Sequence, residues 1–356
     1  MENSIAYIME QTQKVLAIDS PTGFTSRAAA YCMDEYRRLG YSPCLTNKGG
    51  IFVCISEGRP DAACTAADHS SPEAGAVLLE AHIDTLGAMV CDISKEGRLF
   101  LTPLGGMNPN NAEAENCRIY TRSGKVYSGT FQLRNASIHV NGDYNKTSRS
   151  YDVMEVVLDE IVEKKEDVLA LGILPGDIVC FDPRTMITDS GYIKSRFLDD
   201  KLSVGILLGY ARYLKENKIQ TARKIYQHIT VYEEVGHGGS ASVPADVTEV
   251  LSVDMGCVGE GLGCKETQVS ICAKDSGGPY HYDVVTALVT AAQSANLDFS
   301  VDVYPHYGSD AEATLRAGYD CRHGLIGPGV YASHGYERSH QKGVENTFRL
   351  LKAYLG

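Results

Sequence analysis

Apolar and polar positions follow two different rhythms along this chain. The opening segment has helical spacing until Ser20-Pro21-Thr22-Gly23 breaks it, and a second helix follows, with Ser26 placed to cap it, through Leu39 to a stop at Gly40. A polar stretch from Gly58 to Gly75, rich in Ala, Asp, Ser and Pro, predicts a loop. Ala76 to His82 is then a short apolar run, the pattern of a buried strand, and it ends on a histidine. From Cys91 to Thr188 the texture changes. Short β-like runs such as Lys125-Val126-Tyr127 and Asp177 to Phe181 alternate with Gly and Asn turns, which predicts a β-rich insertion.

Helix–strand alternation resumes beyond the insertion. Leu202 to Tyr213 reads as a helix with Leu202, Ile206, Leu207 and Tyr210 on one side. Strands are expected at Lys224 to Tyr232, Val250 to Asp254 and Phe299 to Tyr304, with helices at Tyr282 to Ala295 and Gln341 to Leu355. The expected fold class is therefore α/β, a mostly parallel sheet flanked by helices and built from residues 1–90 and 189–356, with the insertion spanning 91–188. A length of 356 residues agrees with more than one domain. There is no internal repeat or low-complexity tract.

Composition narrows the function classes. The 33 basic and 45 acidic residues leave a net charge of −12, a surface that repels phosphate backbones, so nucleic acid is not an expected partner. No apolar run reaches the roughly 18 residues that a membrane helix needs, so no membrane partner is expected either. The opening MENSIAYIMEQTQKVLAIDS has no basic region followed by an apolar block and does not read as a secretory signal. Eleven cysteines without a CxxC fit scattered thiols of a reducing compartment, and the expected location is cytoplasmic. Cys257, Cys264 and Cys272 match no zinc spacing and read as core or strand thiols.

The candidate chemistry lies at the ends of expected strands, where α/β folds place their sites. His82 and Asp84 are two apart on an extended chain and face the same way, and a carboxylate behind a metal-bound imidazole fixes its tautomer. Taken alone, this pair fits a core or surface histidine equally well. Asp199-Asp200 follows Phe197-Leu198 and opens a helix; a helix N-cap explains it, and so does a carboxylate shared by two cations. Glu233-Glu234 is sharper. Two adjacent acids after Ile229 to Tyr232, before the flexible Val235-Gly236-His237-Gly238-Gly239, are expensive near a core without a cation. Neighbours facing opposite ways let one acid bind metal while the other acts as a general base. Asp254 after Leu251-Ser252-Val253 and His334 in a Gly-rich loop are weak singly. In combination these residues supply nitrogen and oxygen ligands suited to paired zinc or cobalt sites.

The order of these motifs resembles a known family, the metallo-aminopeptidases that build tetrahedral dodecamers, glutamyl aminopeptidases among them. Glu80-Ala81-His82-Ile83-Asp84 with Leu86-Gly87 looks like the family's HxD segment. Phe197-Leu198-Asp199-Asp200-Lys201 looks like its LDDR segment with lysine in place of arginine, and Val231 to Gly236 carries its EEVG. Ser252-Val253-Asp254, Gly308-Ser309-Asp310-Ala311 and Ala332-Ser333-His334 fall where later motifs fall, and Leu171 to Asp177 looks like the end of its inserted domain. The likeness covers nearly the whole chain. It departs after Asp254, at Cys257 to Cys264, at His237, and after His334, at Gly335 to Arg338, which leaves specificity open.

The resemblance implies roles. Asp199 bridges two divalent metal ions, zinc or cobalt, and precedes a cis peptide; His82 and Asp254 complete one site, Glu234 and His334 the other. Glu233 is the general base, Asp84 orients His82, and Asp310 lies near the substrate cleft. The implied architecture is a zinc-exopeptidase-like catalytic domain with an inserted, small β-barrel-like dimerisation domain, dimers assembling into a hollow dodecamer that admits short peptides. The implied reaction is aminopeptidase hydrolysis, with a metal-bridging water brought to a pKa of about 7 and deprotonated by Glu233. A related metallocarboxypeptidase or deacylase, and a non-catalytic assembly protein of the same fold, remain alternatives at this point.

Overall fold

The apolar run ending on His82 is a strand in which every residue is buried, inside a twelve-stranded sheet. The computed structural model describes residues 2–59 and 75–356, so the polar stretch after Gly58 lies, apart from its ends, outside the described residues. The helices are α1 (Glu2–Leu16), α2 (Ser26–Arg38), α3 (Lys165–Leu171), α4 (Leu198–Glu216), α5 (Tyr282–Ser294), α6 (Asp310–Arg316) and α7 (Gln341–Leu355). The strands up to the end of the insertion are β1 (Cys44–Leu45), β2 (Ile51–Ser56), β3 (Ala76–His82), β4 (Gly87–Ile93), β5 (Leu99–Leu104), β6 (Glu115–Tyr120), β7 (Val126–Leu133), β8 (Met154–Leu158) and β9 (Ile178–Phe181). Those after it are β10 (Met186–Ile187), β11 (Tyr192–Ser195), β12 (Ile225–Thr230), β13 (Val247–Val253), β14 (Gly256–Val258), β15 (Val269–Lys274), β16 (Phe299–Val303), β17 (Arg322–Tyr331) and β18 (Glu337–His340).

The large sheet runs β1-β2-β12-β3-β13-β17-β18-β11-β10, with β14, β15 and β16 attached through β17. Its centre, β12-β3-β13-β17, is parallel, as the helix–strand alternation predicts, and its strands are buried nearly throughout. The margins β1-β2-β12 and β17-β18-β11-β10 are antiparallel; short turns join β1 to β2, β10 to β11 and β17 to β18, whereas β2 with β12 and β11 with β18 pair across long stretches of chain. The sheet is thus mixed, flanked by helices.

Helix α4 carries the predicted apolar face, with Leu202, Ile206, Leu207 and Tyr210 fully buried, and is also covered by α1. Gly205 and Gly209 permit that approach, since a Cβ at either would collide with Thr12 or Ile8 of α1. Ser26 does not cap α2. It is the first helical residue; Thr25 holds the cap position without a side-chain bond, and Gly40 stops the helix at φ 82°.

The insertion is a closed antiparallel barrel, β4-β5-β8-β7-β6-β9. Its strands begin at Gly87, where β4 starts almost directly after His82-Ile83-Asp84. They end at Phe181, and Met186–Ile187 already pairs with β11 in the large sheet. Arg118 on the barrel reaches Asp19 of the other domain at 2.7 Å, which fixes the barrel to the start of the chain. Among the described residues no helix is long and apolar enough to cross a membrane. The ten cysteines described are all free thiols. Cys264 and Cys272 are buried, as read from the sequence, while Cys257 is only partly covered.

Candidate metal centre

The parallel centre of the sheet delivers four of the expected residues to one edge. His82 ends β3 and pairs in register with Thr230, so the Glu233–Val235 turn after β12 lies alongside it. Asp254 follows β13, its N–H donating to Ile326 of β17 at 2.9 Å, and β17 leads into the turn that carries His334. Asp199 arrives from the other direction, at the start of α4, joined to Asp200 by a cis peptide bond. Phe197, Tyr232 and His334 have left-handed backbones with φ of 69°, 70° and 60°. Non-glycine residues in that region cost about 1–3 kcal/mol each, and such strain collects where side chains must be aimed rather than packed.

These residues form two groups that share one carboxylate. His82 Nε2 is 3.0 Å from Asp199 Oδ1 and 4.0 Å from Asp254 Oδ2. His334 Nε2 is 3.6 Å from Asp199 Oδ2 and 3.6 Å from Glu234 Oε2. Glu233 Oε2 stands 3.8 Å from His82 Nε2, beside the first group. The ligand atoms of His82, Asp199 and Asp254 all lie within 4.8 Å of one another, the spacing of a metal-holding trio. The donor set, imidazole nitrogens and carboxylate oxygens, suits a borderline divalent ion. Glu234 Oε1 is buried with no hydrogen-bond partner, and the ion pairs of Asp199, Glu234 and Asp254 are all to histidine. A buried acid group without lysine or arginine fits a cation there.

The electrostatics agree. Burial pushes Asp254 up to about 7, with the Asp199 charge adding to it, and burial likewise holds Glu233 and Glu234 well above the carboxylate range. Burial also works against the charged form of His82, but the hydrogen bond to Asp199 and the charges of Glu233 and Asp254 outweigh it and hold the imidazole well above its usual value. His334 is raised to about 9, first by its bond to Asp199. Acids repelled into protonation and histidines drawn into charge are the signature of crowding, and a divalent ion inverts both.

The supporting residues are less obvious in the sequence. His82 Nδ1 faces the backbone oxygen of Asp84 at 2.9 Å, while the Asp84 carboxylate is 3.7 Å away. That carboxylate accepts the N–H groups of Glu233 and Glu234 at 3.2 and 3.3 Å and the Thr22 hydroxyl at 2.7 Å. Asp310 accepts from Gly239 N–H at 2.6 Å and from the Thr230 hydroxyl, so it anchors the glycine-rich turn after the two glutamates. His237 is exposed and stacks on Tyr232, ring centroids 5.3 Å apart. Sequence reasoning missed Glu337, which accepts the N–H groups of both Asp199 and His334 at 3.1 Å. An acid three residues after a candidate histidine, opening a strand, was the available signal. A cavity of about 670 Å³ opens over Asp199, Glu233, Glu234, Asp254, Tyr307 and His334, room for several residues of an extended peptide.

Comparison with known proteins adds the family. The family model described as M42 glutamyl aminopeptidase matches residues 63–350. The Bacillus subtilis (strain 168) protein YhfE, whose name places it with the aminopeptidases, is 41% identical over 352 residues, 99% of this chain and 98% of its own length. The glutamyl aminopeptidase of Lactococcus lactis subsp. cremoris (strain MG1363) is 24% identical over 237 residues, covering 65% of this chain and 61% of that protein. Among solved structures, aminopeptidase APDkam598 of the archaeon Desulfurococcus kamchatkensis superposes with a TM-score of 0.84 at 20% identity, over 99% of this chain and 95% of that one. The Pyrococcus horikoshii TET1 peptidase, described as assembling into a tetrahedron or a large octahedral shell, gives a TM-score of 0.82 at 20% identity over 97% and 98%. These two share the fold, and the sequence match settles the family: the chain belongs to the M42 glutamyl aminopeptidases, a family of peptide hydrolases.

Proposed function

We propose that this protein is a two-metal aminopeptidase that removes the N-terminal residue from short peptides. The observation that carries the reading is Asp199, whose two oxygens face two different histidines, each with its own second carboxylate. His82, Asp254 and Asp199 would hold one ion, and Glu234, His334 and Asp199 the other, zinc or cobalt by their donor types. Ions held there supply Lewis acidity, which polarises a scissile carbonyl and brings water to a pKa of about 7.

The chain's own residues do the rest. Glu233 accepts a proton from the attacking water, which adds to the carbonyl carbon. It returns that proton to the amine as the C–N bond breaks. Asp84 keeps Glu233 and Glu234 in place by accepting their N–H groups. Asp199 and Asp254 are buried and the Glu233 and Glu234 side chains are 15% and 4% exposed, which lowers the local dielectric and strengthens fixed charges there.

The tetrahedral assembly described for the Pyrococcus horikoshii relative supports self-association of this chain into dimers and a dodecamer, with the barrel, drawn at 91–188, as the dimerisation domain. The free thiols of the described cysteines support a cytoplasmic location. Metal analysis combined with a panel of aminoacyl-anilides, free and N-acetylated, tests the reading. Cleavage of free amines alone, with two ions per chain, is expected. Equal cleavage of acetylated substrates would favour a deacylase, and no cleavage of any peptide would favour a non-catalytic protein.

A further inference from the structure

His334 is the least protected member of the site. Its side chain is 41% exposed, against 2% for His82, 10% for Asp199 and 4% for Glu234. Its backbone is left-handed, as is that of Ala332 two residues earlier. Two side chains hold its backbone, one at the N–H and one at the carbonyl.

Glu337, 2% exposed, is one of them. Its Oε1 accepts the His334 N–H and its Oε2 accepts the Asp199 N–H, each at 3.1 Å, so one rigid carboxylate spans the backbone of both residues. Asn111 is the other. It comes from the barrel segment between β5 and β6, and its Nδ2 donates to the His334 carbonyl at 2.9 Å. Asn111 is itself held, because Arg196 Nη2 donates to its carbonyl at 2.6 Å while Arg196 Nη1 meets Glu115 at 2.6 Å. The ring has one further fixed neighbour. His334 Nδ1 lies 3.3 Å from the Gly106 carbonyl, an approach close enough that a Cβ at Gly106 would come within 2.8 Å of that nitrogen.

We infer that Glu337 and Asn111 are positioning residues for the second ion, a clamp on the N–H and carbonyl of His334 that fixes it against Asp199. The inference rests on the two-metal reading and names what aims its more exposed half. Neither residue has an expected part in the chemistry; both act through backbone groups. Outer partners of metal ligands typically contribute 10–100-fold in metal affinity. Asn111 reaches only His334, so its effect falls on the second ion, whereas Glu337 also holds the N–H of Asp199, the carboxylate the two ions share, and its effect falls mainly on the second ion.

Stepwise titration of the metal-free chain with zinc alone, followed by calorimetry, separates the two ions. The expected result is second-ion affinity weakened roughly 10–100-fold in Glu337→Gln, with a smaller loss of the first ion through the shared Asp199, and in Asn111→Ala a smaller weakening of the second ion with first-ion affinity unchanged. Asn111 is exposed, so its variant carries the test if Glu337→Gln fails to fold. Wild-type affinity for the second ion in the folded variants, or equal loss of both ions, overturns the inference. A wild-type chain that holds fewer than two ions overturns the two-metal reading itself, a separate failure.

Discussion

His82 Nε2 lies 3.0 Å from Asp199 Oδ1 although 117 residues and an entire β-barrel separate the two in the chain. The barrel is inserted after the strand that ends on His82, and the chain returns through β10 and β11 to set Asp199 against that histidine. Asp199 then has one oxygen left, and His334 faces it at 3.6 Å.

Glu233 is the one acid of the cluster assigned a proton rather than an ion. Glu233→Gln keeps the side chain's size and removes its basicity. It is expected to leave metal content unchanged and to lower kcat by about 10²–10⁴, the usual contribution of a general base. Elemental analysis and steady-state kinetics on the same preparation check this; full activity in the variant would remove Glu233 from the role.

Asp84 separates two ways of supporting the site. If its carboxylate acted on the His82 ring, Asp84→Asn would weaken the first ion. The His82 ring instead meets the Asp84 backbone oxygen, and the carboxylate holds the N–H groups of Glu233 and Glu234. Asp84→Asn is therefore expected to lower kcat roughly 10–100-fold with first-ion affinity unchanged. A zinc titration beside the kinetics distinguishes the two.

His228 sets a pH dependence of stability away from the ligands. It is buried beside Glu80, Nδ1 to Oε1 3.3 Å, and burial pulls its pKa from 6.5 down to about 4. The folded chain thus binds fewer protons there than the unfolded chain. The stability is complete above 6.5 and is lost as pH falls toward 4, by up to about 3 kcal/mol. The buried Glu80 carboxyl, raised to about 8, contributes with the opposite sign, so His228→Gln is expected to make the slope of stability against pH more negative than in the wild type in denaturant titrations run from pH 7 to pH 4. An unchanged slope contradicts the assignment.

Removal of metal should be visible in stability as well as in rate. Buried acids with no lysine or arginine partner repel one another, so a chelator is expected to lower the melting temperature. Zinc restored to a hundred times its Kd should return about 2.7 kcal/mol. Scanning calorimetry with and without chelator reads this; coincident curves would argue that the cluster holds no ion.

Much of this was legible in the sequence because it depends on local pattern. The strand to His82 is an unbroken apolar run, and the barrel strands are short runs between Gly and Asn turns. Glu233-Glu234 stood out as paired acids that no core accepts without a cation. The antiparallel margins of the sheet were not legible, since pairing partners far apart in sequence leave no period to read. Glu337 and Asn111 were hidden for a related reason. They act on the backbone of other residues, and a carboxylate that accepts two N–H groups has no sequence spacing of its own. The Asp84 carboxylate lies 3.7 Å from the His82 ring and accepts the N–H groups of Glu233 and Glu234.

The central claim is that five residues hold two ions. Its most direct test is the number of metal ions per chain after dialysis, measured by elemental analysis for the wild type and His334→Ala. Two ions in the wild type and one in the variant are expected. A wild-type count below two, or an unchanged count in His334→Ala, would contradict the account.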